Sequence, residues 1–207
     1  MPINDTEQLL HRIASGDDTA RDELLERYRG RLRRMVAVRF DLRLGSRMDP
    51  SDVVQESLAE AAAQLNQYIR ERPLPFYPWL RQMAQRRLIE LHRRHVVAGR
   101  RTVTREQSTG GLPDHSAVAL VERLCGRYSN PSAGLRLQER RDRVRSALAS
   151  LSKTDREVLV LRILEGLPTR ETAALLGMSE VAVRSRQVRA LERLKARLGS
   201  DFLEGER

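Results

Sequence analysis

Residues 81–105 hold eight arginines, at 81, 86, 87, 93, 94, 100, 101 and 105, against a single acid, Glu90. Directly before them, Phe76, Tyr77 and Trp79 place three aromatics within four residues, in a chain with only 3 Phe, 4 Tyr and 1 Trp. Flat rings that stack unpaired bases, beside arginines that track phosphates, are what a single strand of nucleic acid requires of a protein. Phe76, Trp79, Arg86, Arg87, Arg93 and Arg94 are therefore candidate nucleic-acid contacts. The plainer role for the rings is to anchor a core. Phe76 suits that role better, whereas Trp79 could serve both. The arginines are harder to account for as an ordinary surface, since like charges one helical turn apart repel unless something anionic compensates them.

A second basic cluster lies at residues 180–198, with Arg184, Arg186, Arg189, Arg193, Lys195 and Arg197 against Glu180 and Glu192. Residues 184–189 form the candidate reading segment: Arg184, Ser185, Arg186, Gln187 and Arg189 are polar types that hold phosphates or meet base edges in the major groove, and Val188 lies among them. The residues before it supply a mount. Thr169 to Leu176 reads as a short helix with the small Ala173 inside it. Gly177 reads as a left-handed cap, Met178 as an apolar plug and Ser179 as the start of a longer helix. A small residue where two helices approach, then a glycine turn, then a buried Val183 is the pattern of a helix-turn-helix. A charged amphipathic helix in any bundle would show the arginines but not the turn.

The other chemistry-bearing residues point away from catalysis. Asp52, Gln55, Glu56 and Glu60 form an acidic face that opposes the basic bias of the chain and could dock a basic protein surface. His92 and His95 stand three apart, but only His11 and His115 exist elsewhere, so phosphate-facing histidines fit better than a metal pair. Cys125 is the only cysteine, which removes an internal disulfide and a cysteine-based zinc site. No nucleophile–base pair, phosphate loop or metal cluster supports an enzyme, and no cofactor is expected.

The elements that must position these residues read as helices throughout, an all-α chain without an alternating strand pattern. Leu9, Leu10 and Ile13 mark a helix ending at Ser15-Gly16-Asp17-Asp18. Leu24, Leu25, Tyr28, Leu32, Met35 and Val36 mark a second, from about 19 to 40, followed by a turn at Gly45 to Met48. Asp49-Pro50-Ser51-Asp52 is a strong start for a third helix, bearing Val53, Val54, Leu58, Ala61, Ala62, Leu65 and Ile69. Pro73, Pro75 and Pro78 are read as interrupting it, with a fourth helix from about 79 to 95. From Val96 to Pro131 the periodicity fails amid Gly, Ser and Thr, with at most a short helix near 117–124. Helical spacing resumes at Leu135, Leu137, Val144, Leu148 and Leu151, and Ser152-Lys153-Thr154-Asp155 caps a further helix. The expected organisation is two small helical domains, 1–97 and 135–207, joined by a flexible linker at 98–134. Each can bury only a modest core.

Composition is consistent with this layout. The 207 residues carry 38 Lys plus Arg against 28 Asp plus Glu, a net charge of +10, and the only lysines are Lys153 and Lys195. A GC-rich genome would explain the arginine preference as well as function does. No apolar run approaches the ~20 residues of a membrane span. Met1 to Asp18 reads polar and acidic rather than as a leader. A soluble, cytoplasmic protein with polyanionic partners is expected.

Three segments are also recognisable. Asp49-Pro50-Ser51-Asp52-Val53-Val54-Gln55-Glu56 and Phe76-Tyr77-Pro78-Trp79-Leu80-Arg81-Gln82-Met83-Ala84 resemble the "D-x-x-D-x-x-Q-E" and "F-x-x-W-L-x-x-I-A" segments of the sigma-70 family of RNA polymerase sigma factors, in its extracytoplasmic-function group. Leu151-Ser152-Lys153-Thr154-Asp155-Arg156-Glu157-Val158-Leu159 is similar to that family's "L-P-x-x-x-R-E-V-L", and the helix-turn-helix follows in order. The resemblance covers both helical domains and fails over the linker. It implies that Asp52, Gln55 and Glu56 hold the clamp of core RNA polymerase, that Phe76 to Arg94 acts in melting and recognition of the minus-ten element, and that Arg184 to Arg189 reads the minus-thirty-five element of promoter DNA. An anti-sigma protein is a further partner the family implies. Gln85-Arg86 stands where Arg-Asn is usual, Glu90 where Asp is common, Gln187-Val188 where Leu-His is common and Pro168 where Ser is usual. These departures bear on promoter choice. Two rivals stand beside this reading. A LuxR-like regulator would leave the aromatic–arginine segment unexplained, and an RNA-binding or scaffold protein would leave the turn unexplained.

Overall fold

The computed structural model describes residues 3–40, 49–94, 116, 119–120, 123, 143 and 146–198. Outside them fall the expected turn at Gly45 to Met48, His95, Arg100, Arg101, Arg105, His115, Cys125, Leu135, Leu137 and Val144. The chain divides into two compact units, Met1–Gly111 and Leu112–Arg207. Among the described residues all regular structure is helical.

In the first unit, α1 (Ile3–Ala14), α2 (Asp18–Arg39), α3 (Pro50–Glu71) and α4 (Phe76–His92) pack together, α2 touching each of the other three. Asp17 caps α2 by accepting from the Thr19 and Ala20 amides at 3.0 and 3.3 Å. The Thr19 hydroxyl and then Arg12 hold its carboxyl down at about 2. Asp49 caps α3 as expected, and its own amide donates back to the Asp52 carboxylate at 3.4 Å. The apolar stripes of α1, α2 and α3 are buried where the periodicity predicts them, except that Ala62 and Ile69 are only half-buried. Tyr68 takes a place in the core that the apolar spacing did not assign.

Pro78 does not interrupt a helix. It sits in the first turn of α4, where its missing N–H is one that no intrahelical carbonyl would accept. The helix therefore begins at Phe76, three residues earlier than expected.

In the second unit, residues 146–149 are helical and precede α5 (Lys153–Leu159), which runs directly into a π-helical turn, Val160–Leu164. Helices α6 (Thr169–Leu176) and α7 (Glu180–Leu198) follow. Ser152 caps α5 through the Asp155 amide at 3.0 Å. The Arg156 guanidinium donates to the carbonyls of Leu148, Ala149 and Leu151, closing off the preceding helical end. Positions 116, 119, 120 and 123 of the expected linker are helical, with Ser116 and Leu120 buried. They lie within the second unit, and Arg123 Nη1 donates to the carbonyls of Ile163 and Leu164 at 2.7 and 3.4 Å. That cation meets the carbonyl end of the π-helical turn, the end a positive charge favours.

Candidate nucleic-acid interface

The aromatic segment is mostly core. Phe76 is 3% exposed, its ring centroid 5.0 Å from Tyr28, 5.4 Å from Tyr68 and 5.6 Å from Trp79. Phe76 is thus an anchor in this structure and not an open platform for a base, which corrects its place among the candidate contacts. Tyr77 is buried too. It stacks on Tyr28 and carries the Arg31 guanidinium 3.8 Å from its ring centre. Burial pushes the Tyr68 hydroxyl up to about 12, and that hydroxyl donates to the Leu74 carbonyl at 3.0 Å. Trp79 alone stays half-exposed, its inner side tilted on Tyr68 at 4.5 Å. A large ring with a buried face and an open one is what sequence reasoning could not resolve from the segment alone.

Of the arginines that follow, Arg81 is buried and donates to Gln85 at 2.6 Å, so it does not belong to an outward face. Arg86 reaches Glu60 at 3.3 Å, and Arg87 reaches Glu56 at 3.0 Å and Glu90 at 3.7 Å. Arg93 and Arg94 are exposed at the end of α4. For Arg86 and Arg87 the compensation expected from a polyanion is therefore supplied within the unit, by carboxylates of α3. The acidic face of α3 is correspondingly engaged: Asp52 in its capping box, Glu56 and Glu60 with α4. Gln55 is exposed beside them.

In the second unit the turn is built as its residues dictate. Gly177 is left-handed at φ 62°, ψ 37°, and the amide of Met178 bonds to the Ala173 carbonyl at 3.1 Å. Met178 and Leu176 pack on the cluster of Val158, Ala173 and Val183. Ser179 accepts from the Ala182 amide at 3.1 Å, opening α7. The left-handed glycine reverses the chain, and Ala173 admits Val183 without a clash.

The candidate readers on α7 separate into two sets. Arg186 turns inward to Asp155 of α5 at 2.9 Å, and Arg193 meets the other oxygen of the same carboxylate at 3.1 Å. Asp155 is 5% exposed; burial alone would raise its pKa, but hydrogen bonds from Arg186 and Ser152 and the charges of Arg186 and Arg193 outweigh it and hold the carboxyl low. Gln187 accepts from Arg162 at 3.2 Å, while Arg162 also binds the Leu167 carbonyl. Arg184, Ser185, Val188 and Arg189 remain exposed. Among the described residues Arg184 bonds along its own helix, to Glu180 at 3.1 Å, and Arg189 to the Ser185 carbonyl at 3.3 Å. Asp155 was missed at the outset, although its place in the segment before the turn was a signal.

An all-helical, strongly basic chain that presents an exposed arginine-bearing helix after a glycine turn defines a helix-turn-helix DNA-binding protein. The sigma-70 region 2 family matches residues 24–96, and the sigma-70 region 4 family matches residues 141–194. The extracytoplasmic-function sigma factor SigD of Mycobacterium tuberculosis is 32% identical over 182 residues, which cover 87% of this chain and 78% of SigD. The RNA polymerase sigma factor CnrH of Cupriavidus metallidurans is 32% identical over 193 residues, 93% of this chain and 94% of CnrH. The sigma-E factor of Salmonella typhimurium is 29% identical over 185 residues, 89% of each chain. A solved structure of CnrH in complex with the cytosolic domain of CnrY covers 95% of this chain and 99% of its own, with 24% identity and a TM-score of 0.51, a likeness of fold. The chain belongs to the extracytoplasmic-function group of the sigma-70 family of RNA polymerase sigma factors and directs promoter-specific transcription initiation by core polymerase. The region 2 match removes the LuxR-like alternative, which has no use for α1 to α4. No described helix is long and apolar enough to cross a membrane.

Proposed function

We propose that the chain divides promoter recognition between its two ends, serving a stress- or signal-responsive regulon. Residues 1–97 hold core polymerase through Asp52, Gln55 and Glu56 and take the opened minus-ten strand on Trp79, Arg86, Arg87, Arg93 and Arg94. Residues 135–207 read the minus-thirty-five element through Arg184, Ser185, Val188 and Arg189. Arg186 and Gln187 support that helix from behind, the one against Asp155 and the other against Arg162. Of residues 98–134 between them, positions 116, 119, 120 and 123 belong to the second unit, so the connection is the shorter stretch before it. The observation that carries this reading is the pairing, in one chain, of an exposed arginine stripe on a turn-mounted helix with a separate basic helix that leaves one ring half-open.

The protein acts in the cytoplasm and performs no catalysis of its own, since polymerase makes the bonds. CnrH was solved in complex with the cytosolic domain of CnrY, and an anti-sigma protein is a further partner of this chain. Phosphate neutralisation makes DNA binding fall steeply with salt. Reconstituted transcription with core polymerase and a promoter library tests the whole. Initiation confined to a shared pair of elements is expected; tight operator binding by the isolated chain, without promoter-specific initiation, would sink it.

A further inference from the structure

Two valines on α7 stand in water. Val181 is 67% exposed and Val188 54%, whereas Val183, Ala190, Leu194 and Leu198 of the same helix are buried. Positions 181, 184, 185 and 188 follow the spacing that aligns side chains on one helical face, and all four are exposed. The outward stripe therefore reads Val–Arg–Ser–Val. Its neighbours Arg186 and Gln187 are turned to other partners, Asp155 and Arg162, so they do not interrupt it.

The major groove offers mostly donors and acceptors, which suit Arg184 and Ser185. Its one apolar group is the C5-methyl of thymine. Seven residues of helix rise ~10 Å, the length of about three base-pair steps at ~3.4 Å each. We propose that Val181 and Val188 each contact a thymine methyl in the upstream element, about three base pairs apart, on either side of the pair engaged by Arg184 and Ser185. This rests on α7 being the reading helix. A protein partner fits the stripe less well, because the two valines are split by a cation and a hydroxyl instead of forming one apolar patch.

The test uses the full chain bound to core polymerase and upstream elements obtained by selection from random duplex. Selected elements should carry thymine, on one strand or the other, at two positions about three base pairs apart. Replacing each of those thymines by deoxyuracil deletes only the methyl, and should weaken holoenzyme binding about fourfold, as expected for one buried carbon at ~0.8 kcal/mol. Val181→Ala should abolish the sensitivity at one position and Val188→Ala at the other. Absence of thymine at such a spacing, or equal uracil sensitivity in the wild type and both variants, overturns the inference. So does a loss of affinity for core polymerase or another protein in place of the uracil effect. Arg189→Ala separates the two levels. If it weakens upstream binding while uracil does nothing, only the thymine assignment fails. If it leaves upstream binding intact, α7 is not the reading helix.

Discussion

In α4 the outward cations meet carboxylates of the neighbouring helix, Arg86 with Glu60 and Arg87 with Glu56, at 3.3 and 3.0 Å. In α7, among the described residues, it is the rear of the helix whose cations are tied to the fold, where Arg186 and Arg193 converge on the one buried carboxylate of Asp155. Among the described residues its forward cations, Arg184 and Arg189, bond no farther than one turn along their own helix. A DNA strand approaching α4 must compete with two glutamates, whereas α7 offers a stripe already facing outward on a braced helix. The difference separates a surface whose charge is shared between two helices from one whose charge is set apart for a ligand.

The largest effect should come from the forward set. Arg189→Ala removes a contact of the kind worth about 1–3 kcal/mol of base discrimination, so upstream-element binding should fall by roughly 5- to 150-fold. Core polymerase affinity should stay unchanged. Titrating labelled promoter and labelled core separately measures both, and an equal loss in the two would place α7 at the wrong surface.

Next is the rear anchor. Asp155→Ala removes a carboxylate that accepts from two guanidiniums, and should cost about 2 kcal/mol, since hydrogen bonds to charged groups run at ~1.5–3 kcal/mol. The loss should appear as faster amide exchange in α5 and α7 and not in α1 to α4. The same group sets an acid dependence. Its pKa is lowered in the folded protein, so its contribution is present at neutral pH and disappears as pH falls below 3.8 through the folded value. Exchange followed from pH 7 down to about pH 3 should show α5 and α7 loosening over that lower stretch in the wild type but not in Asp155→Ala.

These anchors also mark where the sequence stopped being legible. Local rules act within a few residues, and they found the Asp49 cap, the Gly177 turn and the apolar stripes. They could not tell which arginines are paired, because Arg186 finds Asp155 at a separation of 31 residues and Arg86 finds Glu60 at 26. Periodicity marks a face as polar without saying whether water, DNA or another helix covers it. Arg81 was counted with the outward arginines for that reason and is buried, whereas Phe76, better suited to a core anchor from the start, is one. The π-helical turn has no residue signature of its own, and Leu120 and Arg123 lie in a stretch too poor in apolar spacing to assign to the second unit.

A smaller effect belongs to the turn itself. Gly177 has positive φ and nothing within 4 Å of where a Cβ would stand, so Gly177→Ala meets conformational strain without a clash. A cost of about 1 kcal/mol is expected for an L-residue held left-handed, with Gly177→Asn costing less, because asparagine tolerates that region better. Thermal melts of the two variants and wild type rank them. Equal costs for Ala and Asn would show that the left-handed backbone is not what limits the site.

The smallest effect tests the shared surface. Glu60 is a partly exposed carboxylate at 3.3 Å from Arg86, a pair of the kind worth at most about 1 kcal/mol. Glu60→Gln should therefore change stability by less than about 0.5 kcal/mol. It should also release Arg86 from its competitor, so holoenzyme carrying the variant should bind a pre-opened downstream fork about twofold more tightly, with a steeper loss on adding salt. The same substitution should leave upstream-element affinity untouched, because Glu60 and α7 belong to different units. A decrease in fork affinity would mean that Glu60 aims Arg86 at the phosphate instead of withholding it. Glu60 would then act on α4 as Asp155 does on Arg186 and Arg193 of α7, fixing a cation in place from behind.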